Sequence, residues 1–321
     1  MQKGKVVALS GGVGGAKLAL GLANLLPPDE LLIVCNTGDD FEHLGLSISP
    51  DLDTVMYTLA GINHSEQGWG LAGESWRVMS RLEEIAGPAW FRLGDLDLAT
   101  HLYRSQRLRE GASLSRVTHE LCERLGVTTT IIPATDGRLR TQVGTDNGAL
   151  PFQHYFVRER CQPVVRSIEF EGAQEARVPD QLASLLEEGG VWCVVLCPSN
   201  PFLSIAPMLC IPGLQDALRK ANVPIIAVSP IVAGKAIKGP TAKMMGELGL
   251  PVTAAGIADY YRDLIDGIII DKTDIAQTKA IESMSIVVRT TQTVMRTLDD
   301  KRRLADDVIR FAHELASFPN P

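Results

Sequence analysis

The chain has 321 residues, 45% of them hydrophobic and 21% charged, with 31 Lys and Arg against 38 Asp and Glu for a formal net charge of −7. These proportions exclude a disordered chain, which lacks the apolar surface to offset the entropy of ordering. The acidic balance argues against a nucleic-acid partner, whose phosphates call for a basic surface.

The first elements follow at once. Lys5–Leu9 reads as a strand, and the Gly-rich stretch Ser10–Lys17 leads into Lys17–Leu26, which places Leu18, Leu22, Leu25 and Leu26 on one helical face. Leu31–Cys35 is a second strand, completing a βαβ unit whose crossover should be right-handed. Residues 54–124 are helical in pattern and hold Trp69, Trp76 and Trp90, which suits an inserted helical subdomain better than a loop. Thr128–Ile132 returns to strand, and 142–185 reads as a small β-rich excursion. Val191–Cys197, Pro224–Val228, Gly267–Ile270 and Ser285–Val288 are further strands, and Arg302–Phe318 is an amphipathic closing helix. Several strands are apolar at every position, as in a parallel sheet covered on both faces. The expected fold is therefore α/β: a doubly wound, Rossmann-like, mainly parallel sheet. It forms one domain over 1–321, with its core in 1–53, 125–141 and 186–321.

The six cysteines form no CxxC pair and have no matching Cys/His set for zinc, so buried reduced thiols are expected. The N-terminus has no apolar stretch or cleavage site of a signal peptide, and no run approaches the ~20 apolar residues of a membrane span. A cytoplasmic protein without a membrane partner is expected.

The chemistry-bearing segments fall at predicted strand ends. Gly11, Gly12, Val13, Gly14, Gly15 and Lys17 stand where backbone N–H groups and a helix N-terminus receive a phosphate. The pattern matches neither GxGxxG, since Lys17 replaces the third Gly, nor the P-loop, since no GK[ST] follows. Asn36-Thr37-Gly38-Asp39-Asp40 ends the second strand, and adjacent carboxylates beside a phosphate site suit Mg²⁺. Asp51 and Asp53 open the next helix, either as first-turn carboxylates or as part of the site. Arg92, Asp95 and Asp97 beside His101 read as a helix start with a solvated charge cluster. Ser199 and Asn200, held between prolines, and the loop Ser229–Pro240 with Lys235 and Lys238 end two later strands and suit a phosphate-bearing ligand.

Taken in order, GGVGGAK (Gly11–Lys17), NTGDD (Asn36–Asp40), SPDLDTVMYTLAG (Ser49–Gly61), GWGL (Gly68–Leu71), RLGDLDLATH (Arg92–His101), CPSNP (Cys197–Pro201) and SPIVAGKAIKGP (Ser229–Pro240) resemble the 2-phospho-L-lactate transferase family. The resemblance covers about residue 4 to residue 275 or beyond. It implies an Mg²⁺-dependent transfer of a phospho-acid, lactate or enolpyruvate, from a guanosine-diphosphate-linked donor to the deazaflavin Fo, with release of GMP. A homodimer is also implied. On the matching positions, Asp53 and Arg92 would contact Fo, Arg92 standing where relatives often carry Lys. Gly11–Gly15, Lys17, Ser199, Asn200 and Lys235 would hold the nucleotide and phosphates, and Asp39 and Asp40 the metal. Asp53 and Asp40 are then the candidate catalytic residues. The alternative is a non-enzymatic regulator of the same superfamily that binds a UDP-sugar.

Overall fold

The computed structural model describes residues 4–317. In chain order the first half comprises β1 (Lys5–Ser10), α1 (Gly12–Leu25), β2 (Leu31–Cys35), β3 (Phe41–His43), β4 (Leu46–Ile48), α2 (Pro50–Ala60), α3 (Arg77–Glu84), α4 (Asp97–Arg109), α5 (Leu114–Arg124) and β5 (Thr130–Pro133). There follow β6 (Arg140–Thr145), β7 (Gly148–Pro151), β8 (Val165–Glu171), α6 (Asp180–Glu187), β9 (Val191–Leu196), α7 (Ala206–Leu209) and α8 (Leu214–Lys220). The last part holds β10 (Ile225–Val228), β11 (Ile231–Val232), β12 (Lys235–Ala236), α9 (Thr241–Glu247), α10 (Ala254–Tyr260), β13 (Gly267–Asp271), α11 (Thr278–Glu282), β14 (Val287–Thr291) and α12 (Leu298–Ser317).

Seven strands form one parallel sheet in the order β14-β13-β10-β9-β1-β2-β5. Winding proceeds outward from β1 through β2 to β5, then restarts at β9 on the other side of β1. The boundary between β1 and β9 is thus the switch point, where the connections diverge and leave a crevice at the carboxyl ends. Along β1, Val6 and Ala8 pack into one buried cluster with α1, α2, α5 and α12, while Val7 and Leu9 pack into the cluster on the opposite face. Two covered faces explain why the strand reads as unbroken apolar sequence rather than alternation. Each expected sheet strand is present, and the fold is the α/β sheet that the sequence implies.

Three element boundaries differ from expectation for local reasons. Helix α1 starts at Gly12 instead of Lys17, so the glycines are its first turn rather than a preceding loop. The last sheet strand starts at Val287, because Ser285 has a φ of 64° and ends the turn after α11. Helix α12 begins at Leu298 instead of Arg302. Thr297 Oγ1 accepts from Asp300 N–H at 3.1 Å and Asp300 Oδ2 accepts from Thr297 N–H at 2.9 Å, a reciprocal cap that starts the helix earlier. Phe318, expected to end that helix, lies outside the described residues.

The range 54–124 is divided. Helices α2 and α5 cover the sheet, with Val55, Met56, Val117 and Leu121 in the same cluster as α1. The segment between them makes its own small cluster, Leu46, Ile48, Met79 and Leu93, by packing on the β3–β4 hairpin. The range 142–185 folds as the β7-β6-β8 antiparallel sheet followed by α6. All six cysteines are free, and none is exposed. Among the described residues no single helix is long and apolar enough to cross a membrane.

Candidate active site

A cavity of about 800 Å³ opens at the carboxyl ends of β1 and β9, at the switch point. Its lower end is built by the start of α1 against Pro198–Asn200. Ser199 Oγ accepts from Gly11 N–H at 3.1 Å and donates to the Gly11 carbonyl at 2.8 Å, and Gly12 N–H donates to Asp51 Oδ1 at 2.7 Å. No side chain caps α1, so the N–H groups of its first turn beyond Gly12 remain available beside the positive end of the helix dipole.

Two cations stand at this end. Lys17 Nζ donates to the Met295 carbonyl at 3.1 Å, and Lys238 Nζ to the carbonyls of Glu66 and Gln67 at 3.3 and 2.7 Å. Among the described residues neither has a carboxylate within ion-pair distance. Burial lowers the Lys17 pKa, and repulsion from Lys238 and then Lys301 lowers it further. Two unpaired lysines beside a helix N-terminus, with the charge of Lys17 disfavoured by burial and by Lys238, make a site that an anion relieves.

The other end is set by α2 and α4. Asp51 and Asp53, two positions apart on α2, point in different directions, as helical geometry requires. Asp51 ties α1 to β2 through Gly12 and, at 2.9 Å, the Asn36 amide. Its pKa is pushed up to about 6 by burial, against the hydrogen bonds from Asn36 and Gly12. Asp53 faces α4, where the Arg104 guanidinium donates to both carboxylate oxygens, Nη1 reaching Oδ2 at 3.1 Å and Nη2 reaching Oδ1. Asp97, His101 and Arg104 recur on α4 at helical spacing and so share one face. His101 Nε2 stands 3.4 Å from Asp97 Oδ2, and Tyr57 Oη donates to Asp97 Oδ1 at 2.6 Å. Arg92, Phe91, Trp90 and Trp69 continue the wall, Arg92 lying 4.8 Å over the Trp76 ring.

Asp39 lines both this cavity and a smaller neighbour of about 250 Å³, whereas Asp40 lines only the smaller one. Both side chains are buried, and each Oδ1 lacks a hydrogen-bond partner. Asp40 Oδ2 accepts from Ser49 Oγ at 2.8 Å. Burial, reinforced by the Asp51 charge, pushes Asp39 well above the usual carboxylate range; burial pushes Asp40 up to about 7 although Arg140, Ser49 and Arg104 oppose it.

The family model described as 2-phospho-L-lactate transferase CofD matches residues 6–311. The chain belongs to the 2-phospho-L-lactate transferase family. A phosphoenolpyruvate transferase of Kitasatospora aureofaciens is 41% identical over 292 residues, 89% of this chain and 90% of that protein. A 2-phospho-L-lactate transferase of Methanococcoides burtonii is 36% identical over 289 residues, covering 90% and 93%. A UPF0052 family protein of Bacillus halodurans shares the fold, with a TM-score of 0.64 at 12% identity over 96% of this chain and 99% of that one. The protein is a transferase, so the alternative of a non-enzymatic regulator is set aside.

Within this family fold, Gly11, Gly12, Val13, Gly14, Lys17, Asp39, Asp53, Arg92, Ser199 and Asn200 all line the one cavity. Gly15 lies just behind it, where a Cβ would meet the hydroxyls of Ser10 and Ser199 at 2.6 Å. Lys235 is not brought there: it sits exposed on the β11–β12 hairpin, and Lys238 of the same loop lines the cavity instead. Asn200 is chiefly a cap, its Oδ1 accepting from the N–H groups of Phe202 and Leu203 at 2.9 and 3.1 Å. The charge cluster expected to be solvated is divided: Arg92 is exposed and Asp95 and Asp97 are half-buried, whereas His101 is buried. Asp95 caps α3 through Arg77 and Val78, while His101 and Arg104 are each 1% exposed. Sequence reasoning passed over Arg104 entirely. Its signal was the Asp97, His101, Arg104 stripe on a helix beginning at a strand-end loop.

Asp39 and Asp40 have the donor chemistry that an Mg²⁺ ion requires. Two buried carboxylate oxygens without hydrogen-bond partners suit a hard cation. Asp53, Asp97 and His101 also bring ligand atoms within 4.8 Å of one another, but the Arg104 guanidinium that donates to both oxygens of Asp53 already supplies a positive charge there.

Proposed function

We propose that this transferase acts in coenzyme F-420 biosynthesis. It moves the phospho-acid half, 2-phospholactyl or phosphoenolpyruvyl, of a guanosine-diphosphate-linked donor to the terminal ribityl hydroxyl of 7,8-didemethyl-8-hydroxy-5-deazariboflavin (Fo). The alcohol oxygen bonds to the acid-bearing phosphorus while the bridging bond to GMP breaks, and the alcohol proton is released. One observation carries the reading: a single cavity joins an anion-binding end, with the α1 N-terminus, Lys17 and Lys238, to an end with Asp53, Arg92 and aromatic walls. Each end suits one of the two substrates, and their shared cavity brings donor phosphorus and acceptor alcohol together.

In this assignment the first turn of α1, Ser199 and Lys238 orient the diphosphate, and Lys17 offsets charge on the departing phosphate. Asp53 accepts a hydrogen bond from a ribityl hydroxyl, and Arg92 holds the acceptor from the cavity rim. Mg²⁺ held by Asp39, with Asp40 beside it, would neutralise charge on the diphosphate oxygens. The test is incubation with Fo, Mg²⁺ and each guanosine-diphosphate-linked acid in turn, followed by anion-exchange separation with fluorescence detection and mass analysis. A more acidic fluorescent product with equimolar GMP is expected. Absence of product with both donors overturns the assignment.

A further inference from the structure

We propose that Arg104 is the positioning residue for Asp53, fixing that carboxylate so that its outward lone pairs address the acceptor alcohol. The inference deepens, and rests on, the reading that Asp53 faces the acceptor. Arg104 lies on α4 and is 1% exposed, so its charge is almost wholly removed from water. A buried guanidinium requires partners, and Arg104 finds three on one nitrogen: Nη1 approaches Asp53 Oδ2 at 3.1 Å, His101 Nδ1 at 3.2 Å and the Ser47 carbonyl at 3.4 Å. Nη2 donates to Asp53 Oδ1, completing a two-point clamp.

The polarity of the surrounding network follows from Arg104 itself. A guanidinium only donates, so His101 Nδ1 presents its lone pair and the ring proton sits on Nε2, facing Asp97 Oδ2 at 3.4 Å. Tyr57 Oη donates to the other Asp97 oxygen at 2.6 Å. Both Arg104 Nη groups thus meet Asp53, Tyr57 Oη meets Asp97, and His101 Nδ1 backs the clamp from behind, while Arg104 Nε and His101 Nε2 make no hydrogen bond among the described residues.

An ion pair buried this deeply contributes little net stability compared with apolar packing, so fold stability alone does not account for placing it in a cavity wall. It does account for preorganisation. Each Asp53 oxygen spends one acceptor direction on Arg104 and retains another, and Asp53 lines the cavity. A carboxylate held at two points cannot rotate away when the alcohol arrives.

The test is a double-mutant cycle on transfer kinetics, with Fo binding followed by fluorescence, in wild type, Arg104→Met, Asp53→Asn and Arg104→Met/Asp53→Asn, with Arg104→Lys measured beside it as the conservative variant. The double variant removes both buried charges and keeps the test available should a single variant fold poorly. Arg104→Lys preserves the charge and loses the two-point geometry. It is expected to lower kcat by on the order of 100-fold, the scale of a misplaced reacting group, with KM for the donor unchanged. The double variant should be no slower than Asp53→Asn, because Arg104 acts only through Asp53. Near-wild-type kcat in Arg104→Lys, or a double variant slowed by the product of the separate effects, overturns the proposal while leaving the function standing. A folded wild-type protein that never transfers to Fo overturns both together.

Discussion

The Ser199 hydroxyl closes on both polar groups of the Gly11 backbone, accepting from its N–H at 3.1 Å and donating to its carbonyl at 2.8 Å. This contact spans the switch point, tying the exit of β9 to the exit of β1. Ser199→Ala is expected to destabilise the protein by about 1–2 kcal/mol, the scale of buried hydrogen bonds left unmade. It should also raise KM for the guanosine-diphosphate-linked donor more than KM for Fo. Denaturant unfolding and two-substrate kinetics check the two halves separately.

The glycines of this turn divide by role. A Cβ on Gly14 would fall on the Pro198 carbonyl oxygen, and one on Gly11 would meet Asp51 Oδ2 and Ser204 Cβ at 2.6 Å. Gly12 has open space around its Cβ position and a φ of 63°. Gly14→Ala is therefore expected to cost about 3 kcal/mol by overpacking against backbone. Gly12→Ala should cost about 1 kcal/mol by conformational strain and show more in donor affinity. Equal destabilisation by both changes would contradict this division.

Asp40 predicts an unusual pH dependence of stability. Its pKa stands at about 7 in the folded protein against an ordinary 3.8, so the folded state pays for ionising it. That penalty is absent below about pH 4, grows between 4 and 7, and is complete above 7, where it reaches on the order of 4 kcal/mol. Asp40→Asn retains an oxygen for Ser49 and removes the charge. It should raise the Tm of the ligand-free protein at pH 8, with the gain shrinking toward pH 4, and weaken any stabilisation by Mg²⁺. Thermal scans across this range, with and without Mg²⁺, decide the matter.

Lys238 and Lys235 provide a paired control. Only Lys238 lines the cavity, and its ammonium also pins the loop carrying Gln67. Lys238→Ala is expected to weaken GDP binding by about 10-fold, roughly the loss of one charge-assisted contact, whereas Lys235→Ala should change it less than about 2-fold on the scale of an exposed charge. Calorimetric titration with GDP distinguishes them, and the reverse ranking would return the nucleotide to the β11–β12 hairpin.

Much of this protein was determined by its sequence. Unbroken apolar strands, each followed by polar residues at its carboxyl end, specify a parallel sheet covered on both faces. The strand-end loops Gly11–Lys17, Asn36–Asp40 and Cys197–Pro201 then converge because a doubly wound sheet aligns all such ends on one edge. Periodicity is a local property, and so the elements it encodes were legible. The direction of each side chain was not. Asp51 and Asp53 look equivalent in the chain, yet one clamps α1 and the other meets Arg104, because two helical positions differ by more than half a turn. Arg104 acquires its partner only where α4 packs against α2, and Lys235 is as near the strand end as Lys238 but is turned outward by the hairpin. Burial decides these cases, and burial is a property of the packed elements together, which no single segment of sequence contains.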